Sequence, residues 1–339
     1  MSKWYEAKAP HEDIVISSRI RLARNLSDFP FESRMTDEQR RQLSEKVKQA
    51  LSHVTVSGET LQFTEMDSLE EIKRYAMVER HEVSKEFIKD PTHRLLGYSK
   101  DESVSIMVNE EDHLRIQVMA SGLNLTSAYQ QCNKIDDVLD SELDYAFNER
   151  LGYLTTCPTN LGTGLRASVM VHLPALEKSG LMNQLTATVN KLGLTIRGTY
   201  GEGSKVLGSI YQISNQITLG ITEKDAIQNL ESIVLQVIES EKRARESLLA
   251  EKRRLEDVVF RSLGVLRYAR LLSSREFFEE ISNVRLGVSL GLIHDVEISR
   301  INRMMALTGS ASICEREGRE LSPEDRDFVR ANTVRTYIS

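Results

Sequence analysis

Five arginines in the N-terminal two thirds of the chain stand where an anion could approach them: Arg19, Arg21, Arg115, Arg166 and Arg197. Arg19 and Arg21 follow the β-branched run Ile14-Val15-Ile16, and a continuing strand would direct both side chains to one face. Arg166 and Arg197 adjoin glycines, where backbone amides can also contact an anion. Because arginine binds phosphate through two parallel hydrogen bonds, the set is consistent with a polyphosphate site. Taken singly, each arginine is better explained as one member of a surface ion pair.

Carboxylates that could accept a proton are concentrated on one turn. Glu110, Glu111 and Asp112 separate two segments of alternating polarity, which together predict a β-hairpin with an acidic tip. Adjacent carboxylates raise one another's pKa and a nearby arginine lowers it, so such a tip could supply a general base. Glu202, which lies between two glycines, is a second candidate. Without further context, both features are also consistent with solvated surface acids.

The phosphate-binding motifs of the common nucleotide-binding folds are excluded. The string Gly162-x-Gly164-x-x-Ala167 nominally matches the dinucleotide fingerprint, but that fingerprint must open a helix. The residues that follow, 168–172, alternate in polarity like a strand. The sequence also has no GxxxxGK[ST] P-loop and lacks the HRD and DFG motifs of the protein kinase fold. An ATP-binding function would therefore need a different architecture.

The composition is that of an ordinary globular protein, with 40% hydrophobic and 28% charged residues among 339. A net charge of −6 provides no bulk attraction to nucleic acid. No segment approaches the ~20 apolar residues of a membrane span, and the N-terminus has no signal-peptide pattern. The three cysteines, Cys132, Cys157 and Cys314, are too few and too widely spaced for a disulfide framework or a zinc site. We therefore expect a cytoplasmic protein that binds neither nucleic acid nor membrane.

These residues need a framework that brings them together. Six segments alternate in polarity as strands do: 103–108, 113–118, 151–156, 168–173, 194–197 and 208–213. Helices are predicted at 37–54, 124–149 and 176–192, and helical periodicity persists from Thr222 almost to the end. We therefore predict an α+β domain over residues 1–225, with an antiparallel sheet flanked by helices. A smaller all-α domain is predicted over residues 226–339.

Four segments together resemble the phosphagen (guanidino) kinase family: Ser18-Arg19-Ile20-Arg21, Asn109-Glu110-Glu111-Asp112-His113-Leu114-Arg115, the run from Cys157 to Arg166, and Arg197-Gly198-Thr199 through Gly201-Glu202. They occur in the family's order and cover residues 14–220. The strings CPTNLGTG and NEEDH are highly specific. The resemblance implies the fold of that family's catalytic domain and an ATP-dependent enzyme that phosphorylates guanidino groups.

The resemblance also implies an ATP site: Ser18, Arg19, Ile20, Arg21, Leu22, His81, Arg115, Arg166, Ala167, Ser168, Val169, Met170, Arg197, Gly198, Thr199, Tyr200, Gly201 and Glu202. It makes Glu111 and Glu202 the catalytic carboxylates that hold the guanidinium, with Glu111 as the base, and it places Cys157 beside the guanidino group. A guanidinium, with a pKa of about 12.5, must lose a proton before it can attack phosphorus. Mg²⁺ accompanies ATP and is held mostly by the nucleotide in this family, so no protein metal ligand is named.

Three features differ from the small-molecule members of the family. Those enzymes carry a helical domain before the SxRxR motif, whereas the motif here begins at Ser18, and an open site could admit an arginine on a protein. Met170 stands where they often carry a histidine near adenine. The string RDxxRA at Arg326, Asp327 and Arg330 resembles a mark of the family's protein arginine kinases, and it implies an allosteric phosphoarginine pocket. The alternative for that string is an Arg/Asp cluster on a helix surface.

Three functions are therefore compared. The first is a kinase for arginine side chains of proteins, whose product would mark them for an AAA+ Clp unfoldase and protease with the help of a zinc-binding activator protein. The second is a kinase for free arginine or another small guanidino compound. The third is a non-enzymatic adaptor that binds phosphoarginine and delivers proteins to the Clp protease. The resemblance favours the first and implies a homodimer formed through the helical domain.

Overall fold

The computed structural model describes residues 2–198 and 206–338 of the chain. Its centre is an eight-stranded sheet with the order β11-β12-β10-β1-β7-β6-β5-β4, in which every neighbouring pair is antiparallel. The strands are β1 (Val15–Arg24), β2 (Thr55–Val56), β3 (Glu59–Thr60), β4 (Gln62–Glu65), β5 (Leu95–Tyr98), β6 (Val104–Glu110), β7 (Asp112–Ser121), β8 (Phe147–Asn148), β9 (Gly152–Tyr153), β10 (Leu165–His172), β11 (Leu194–Gly198) and β12 (Ile210–Asn215).

Helices cover one face of this sheet and continue the chain beyond it. They are α1 (Asp37–Leu51), α2 (Glu71–Glu79), α3 (Lys85–Lys89), α4 (Leu125–Asp140), α5 (Pro174–Lys178), α6 (Met182–Lys191), α7 (Glu223–Leu249), α8 (Lys252–Tyr268), α9 (Ser274–Ser289), α10 (Ile298–Leu307), α11 (Ser310–Glu317) and α12 (Pro323–Ile338). None of the helices in the described part of the chain has the length and apolar content that a membrane crossing requires. The predicted α+β architecture, followed by a helical region, is confirmed.

The period-two alternation of the central strands gives the sheet two chemically different faces. Ile20 and Leu22 on β1 are fully buried, together with Val118 on β7 and Val169 on β10. Residues from helices α1, α4 and α7 pack against this apolar face and form the main core. The intervening side chains leave the opposite face, which is where Arg19 and Arg21 lie.

A second hydrophobic core is formed by the helices from α8 onward and the segments that connect them. Helix α7 belongs instead to the first core, since Leu230, Val234 and Ile238 pack among the residues of the sheet's apolar face. Thr222 caps α7, as the sequence predicted, because its side chain accepts a hydrogen bond from the amide of Asp225. The domain boundary after residue 225 stays a prediction, and it falls within the first turn of this helix.

Two predicted helices differ in extent from those in the structure. The helix predicted at 124–149 ends at Asp140, because the backbone beyond it pairs with the end of β1 through Ser27 to Asp144 and Ala146 to Asn25. The helix predicted at 176–192 is two helices, α5 and α6. Gly180 separates them with a φ of +71°, a conformation that glycine adopts without strain.

Arg24 is a charged residue that the alternation directs into the core. Its guanidinium is 1% exposed and donates to both carboxylate oxygens of Asp136 on α4, at 2.6 to 3.2 Å. It also donates to the carbonyl of Thr163 and lies 3.5 Å from the ring centroid of Tyr153. These contacts join β1 to the glycine-rich loop that precedes β10. A buried pair of this kind is costly to break from one side, because the remaining charge has no partner.

Replacing Arg24 with methionine should therefore lower the free energy of unfolding by about 3–5 kcal/mol, since it leaves the Asp136 carboxylate buried without a cation. Urea denaturation of the full chain measures this loss. The control is Arg41→Met, which removes an exposed pair with Glu38 and should change stability by no more than about 0.5 kcal/mol. Similar small losses in both variants would contradict the anchoring role of Arg24.

Candidate active site

Strand register brings four of the predicted arginines onto the polar face of the sheet. Arg21 on β1 stands directly opposite Arg166 on β10 and opposite Gln117 on β7. Arg115 lies two residues from Gln117 on the same strand, so its side chain leaves the same face. Arg19 lies two residues from Arg21 and faces Ser168. The alternation that buries the apolar face thus also assembles the cationic one.

The positive charges of Arg19 and Arg21 are buried beside those of neighbouring arginines. Arg19 is held by neutral groups, since it donates to the Ser168 hydroxyl at 3.3 Å and to the Gln212 side-chain oxygen at 2.9 Å. Burial and the guanidinium groups of Arg166 and Arg115 lower the pKa of Arg19 to about 10. Burial, Arg19, Arg115 and Arg166 together lower the pKa of Arg21 well below its usual value. A group of cations that repel one another is suited to binding a polyanion.

His81 and Arg197 extend this face into a cavity of about 830 Å³, which Arg19, Arg21 and Arg166 also line. The backbone carbonyl of His81 accepts a hydrogen bond from the Gln117 side chain, which fixes the residue beside the sheet. Burial, Arg19 and Lys85 lower the pKa of His81 to about 4, so its ring is neutral at pH 7. This cavity, defined by these arginines and His81, is called the cationic pocket below.

A second cavity, of about 680 Å³, continues from the cationic pocket and shares Arg21 and Arg166 with it. Glu111 and Cys157 line this second cavity, and it is called the carboxylate pocket below. The Cys157 sulfur lies 3.0 Å from the hydroxyl of Thr159. The sequence-predicted base, cysteine and phosphate-binding arginines are therefore brought together at one end of the sheet.

Only one of the three acids on the β6–β7 turn faces this pocket. Glu110 and Asp112 are buried, whereas the side chain of Glu111 is 40% exposed. Glu111 has a φ of +62°, which is uncommon for a residue with a side chain, and its amide donates to a Glu32 carboxylate oxygen at 2.6 Å. This backbone strain is consistent with a functional position. Sequence analysis did not identify Glu32 as the residue that supports the turn.

Glu110 has a structural role that the sequence did not reveal. Its carboxylate lies 2.6 Å from the guanidinium of Arg115, while Glu111 lies 3.5 Å from the same group. Burial raises the pKa of the Glu110 carboxyl, and Arg115 counteracts that effect. The charge of Arg115 therefore has a close buried partner. This pairing holds Arg115 in place in the wall of the carboxylate pocket.

Several predicted nucleotide-binding residues do not reach the pockets with their side chains. Those of Ser18, Ile20, Leu22, Ala167 and Val169 leave the opposite face of the sheet and are buried. Ser18 instead bridges the chain turn after β7, donating to the Gly122 carbonyl and accepting from the Asn124 amide. The predictions for Thr199, Tyr200, Gly201 and Glu202 lie outside the described residues.

Met170 and His81 line a third cavity, whose walls are mainly apolar and which the sequence did not predict as a unit. Phe278 and Met305 contribute to it from helices α9 and α10, more than 100 residues further along the chain.

Gly198 ends strand β11 opposite Tyr211, next to Arg197. Among the described residues, no three His, Cys, Asp or Glu side chains converge as a metal site would require.

Comparison with known proteins identifies the family. Residues 42–244 match the model of the ATP:guanido phosphotransferase C-terminal catalytic domain, and residues 252–339 match the model of the protein-arginine kinase McsB C-terminal domain. A protein-arginine kinase from Halothermothrix orenii is 44% identical over 100% of this chain and 97% of its own length. The chain belongs to the protein-arginine kinases of the ATP:guanido phosphotransferase family. The family predicted from the sequence is thus confirmed.

Other members of the guanido phosphotransferase family share the fold. A protein-arginine kinase from Clostridium acetobutylicum is 43% identical over the full length of both chains. The duplicated taurocyamine kinase from Schistosoma mansoni, with bound transition state analog components, is 34% identical with a TM-score of 0.60, over 67% of this chain and 33% of that one. Lombricine kinase is 27% identical with a TM-score of 0.61, over 71% of this chain and 69% of that one.

The RDxxRA segment of this protein-arginine kinase family member lies on α12. Arg330 is 1% exposed and donates to the carbonyls of Thr308 and Leu272 and to the Asp327 carboxylate, at 2.6 to 2.9 Å. Arg330 and Asp327 therefore already hold three helices together, while Arg326 is half-buried at the surface. The allosteric role assigned to this segment stays a prediction.

Removing the charge of Arg21 and removing the charge of Arg115 should have different effects on the stability of the protein. Arg21→Gln should weaken binding of inorganic tripolyphosphate at least about tenfold without lowering the free energy of unfolding of the ligand-free protein, because it relieves repulsion in a cationic cluster. Arg115→Gln leaves Glu110 buried without its cation and should also lower stability. Isothermal titration and urea denaturation measure the two quantities. A large loss of stability in Arg21→Gln would mean that Arg21 is balanced by an opposite charge.

Proposed function

We propose that this chain transfers the γ-phosphoryl group of ATP to the guanidino groups of arginine side chains in proteins. The observation that carries the proposal is the cationic pocket, in which strand register gathers several arginines, joined directly to a pocket with the exposed carboxylate of Glu111. The first pocket suits a polyphosphate and the second suits a guanidinium. Full-length relatives named protein-arginine kinase support the same reaction.

The triphosphate of ATP would lie against Arg19, Arg21, Arg166 and Arg197 in the cationic pocket, with its terminal phosphate directed toward Arg115 in the carboxylate pocket. Phosphoryl transfer needs mainly positioning and neutralisation of charge on the phosphate oxygens, which these side chains supply. The repulsion among the cations would be relieved when the anion binds. Mg²⁺ would enter on the phosphate oxygens of the nucleotide and add to the neutralisation when bound.

The guanidinium of the substrate would lie in the carboxylate pocket, where Glu111 orients it and accepts its proton. As a guanidino nitrogen attacks the γ-phosphorus, an N–P bond forms and the bond from phosphorus to the β-phosphate oxygen breaks, so that ADP leaves. The nitrogen loses one proton to Glu111. Cys157 lines the same pocket and would contact the guanidino group. Glu202, outside the described residues, is proposed as the second carboxylate.

The cellular role is an extension of this proposal and rests on family membership. Phosphorylated proteins would be delivered to an AAA+ Clp unfoldase and protease as part of stress response and protein quality control. A zinc-binding activator protein would assist the kinase, the enzyme would act as a homodimer, and the reaction would take place in the cytoplasm. Co-purification of the Clp unfoldase with a phosphorylated client protein, and its loss with Glu111→Gln, would test the delivery step.

The decisive assay offers the purified chain Mg·ATP with an arginine-rich unfolded protein in one tube and free L-arginine in another. Acid-labile phosphate on protein arginines, located by mass spectrometry, is the expected result. Phosphate on free arginine alone would support a kinase for small guanidino compounds instead. No transfer in either tube, with the activator protein present, would favour a non-enzymatic adaptor that binds phosphoarginine.

Glu111→Gln supplies the internal control for this assay. Because the substitution removes the base but keeps the size of the side chain, it should lower kcat by about 10²–10⁴-fold with little change in stability. Glu149→Gln, an exposed acid on a neighbouring loop, should leave kcat unchanged. Full activity in Glu111→Gln would contradict the assignment of Glu111 as the base.

We also propose that phosphoarginine binds at the RDxxRA segment and regulates the kinase. Since Arg330 and Asp327 support the helix packing, Arg326 is the residue that can be changed without unfolding the region. Arg326→Ala should keep basal transfer but lose the change in rate that added phosphoarginine causes in the wild type. Initial rates with and without phosphoarginine measure this. An Arg326→Ala variant that is inactive under all conditions would mean that the residue is structural.

A further inference from the structure

A cavity of about 560 Å³ lies where the sheet meets the C-terminal helices. Its walls are mainly apolar, and it is called the apolar pocket below. Ile16 and Met170 contribute from the sheet, and Trp4 contributes from the N-terminal segment. Phe278 on α9 and Met305 on α10 pack against the small cluster of Ile16, Met170 and Ile210. The pocket is therefore formed between the sheet and the helical region.

The apolar pocket adjoins the cationic pocket. His81 lines both the apolar pocket and the cationic pocket. Gln212, opposite Met170 on the neighbouring strand, binds Arg19 in the cationic pocket. An apolar cavity beside a cluster of arginines fits a ligand that joins a flat, weakly polar ring to a polyphosphate. A nucleoside triphosphate has this chemistry.

We infer that the purine base of ATP lies in the apolar pocket and that Phe278 and Met305, two residues of the helical region, form one of its walls. The inference rests on the proposed function in taking ATP as the phosphoryl donor. It adds that the nucleotide site spans both parts of the chain. Phe278 and Met305 are thus affinity-determining residues for the donor, although neither lies near the transferred phosphoryl group.

Several polar contacts fix this wall to the N-terminal segment that precedes β1. Asn302 on α10 donates to the Tyr5 carbonyl at 3.1 Å, and Arg285 on α9 donates to Asn302 and to the Glu12 carbonyl. Gly208 approaches the backbone of Phe278 so closely that a Cβ atom there would lie 2.6 Å from the Phe278 carbonyl oxygen. The wall is therefore already assembled in the described structure, and ordering it costs little when a base enters.

Helix α11 is attached at the same place. The carboxylate of Glu79 accepts hydrogen bonds from the amides of Ala311 and Ser312 at the helix N-terminus, at 3.0 and 2.8 Å. Arg80 pairs with Glu315 on the same helix at 2.6 Å. These two residues immediately precede His81. Because binding equilibria are reciprocal, a base in the apolar pocket would favour the docked position of the helices, and the docked helices would favour nucleotide binding.

The test compares two ligands that share the phosphates but differ in the base. Mg·ATP and inorganic tripolyphosphate are titrated by calorimetry into the full-length wild type, Phe278→Ala and Met305→Ala. Removing the buried contact of an aromatic ring should weaken ATP binding about tenfold or more. The affinity for tripolyphosphate should stay within about twofold. Phe278→Leu, which keeps apolar volume, should recover part of the ATP affinity.

The control Phe260→Ala removes an exposed phenylalanine of the helical region that does not line the pocket, and it should change neither affinity. Equal losses for ATP and tripolyphosphate in Phe278→Ala would overturn the inference, because the residue would then act on the whole site. Unchanged ATP affinity in both Phe278→Ala and Met305→Ala would also overturn it. If the wild-type chain bound no ATP, the proposed kinase function itself would fail. That result differs from the two results above, which would contradict only the assignment of Phe278 and Met305.

Discussion

Repulsion among like charges on one face of a sheet is the constraint on which the rest of this structure depends. Arg19, Arg21 and Arg166 are held close together by strand register, while neutral Ser168 and Gln212 orient Arg19 without cancelling its charge. The ligand-free protein bears the unfavourable energy of this arrangement. The opposite face of the sheet is apolar and packs against three helices. This packing offsets the repulsion, because it fixes the strands that carry the cations.

In the same region, two neighbouring glutamates have different surroundings. Glu110 is buried against Arg115, whereas Glu111, one residue later, projects into the carboxylate pocket. The single-residue turn between β6 and β7 produces this separation, because it reverses the chain at Glu111 in a left-handed conformation. Glu32 holds the turn from outside. The Glu111 carboxylate is thus positioned in the carboxylate pocket by Glu32, which does not line that pocket.

Much of the site could be predicted because its signals are local in sequence. The alternation in β1 put Arg19 and Arg21 on one face, and the motif around Cys157 identified the carboxylate pocket. Features that depend on distant partners could not be predicted. Arg24 is directed to the same face of the sheet as Ile20 and Leu22. Its burial depends on the ion pair with Asp136, which lies 112 positions further along the chain. Phe278 and Met305 gave no signal in the sequence, since ordinary helix periodicity explains both.

The segment from Glu79 to His81 has a consequence for how this family can change in length. Helix ends and the short connections after them ordinarily tolerate insertions and deletions. Here three consecutive residues have three separate attachments: Glu79 to the start of α11, Arg80 to Glu315, and His81 to the edge of the cationic pocket. A residue inserted between any two of them would displace at least one of these attachments relative to the others. A connection at the protein surface would therefore be held to a fixed length as strictly as a strand of the sheet.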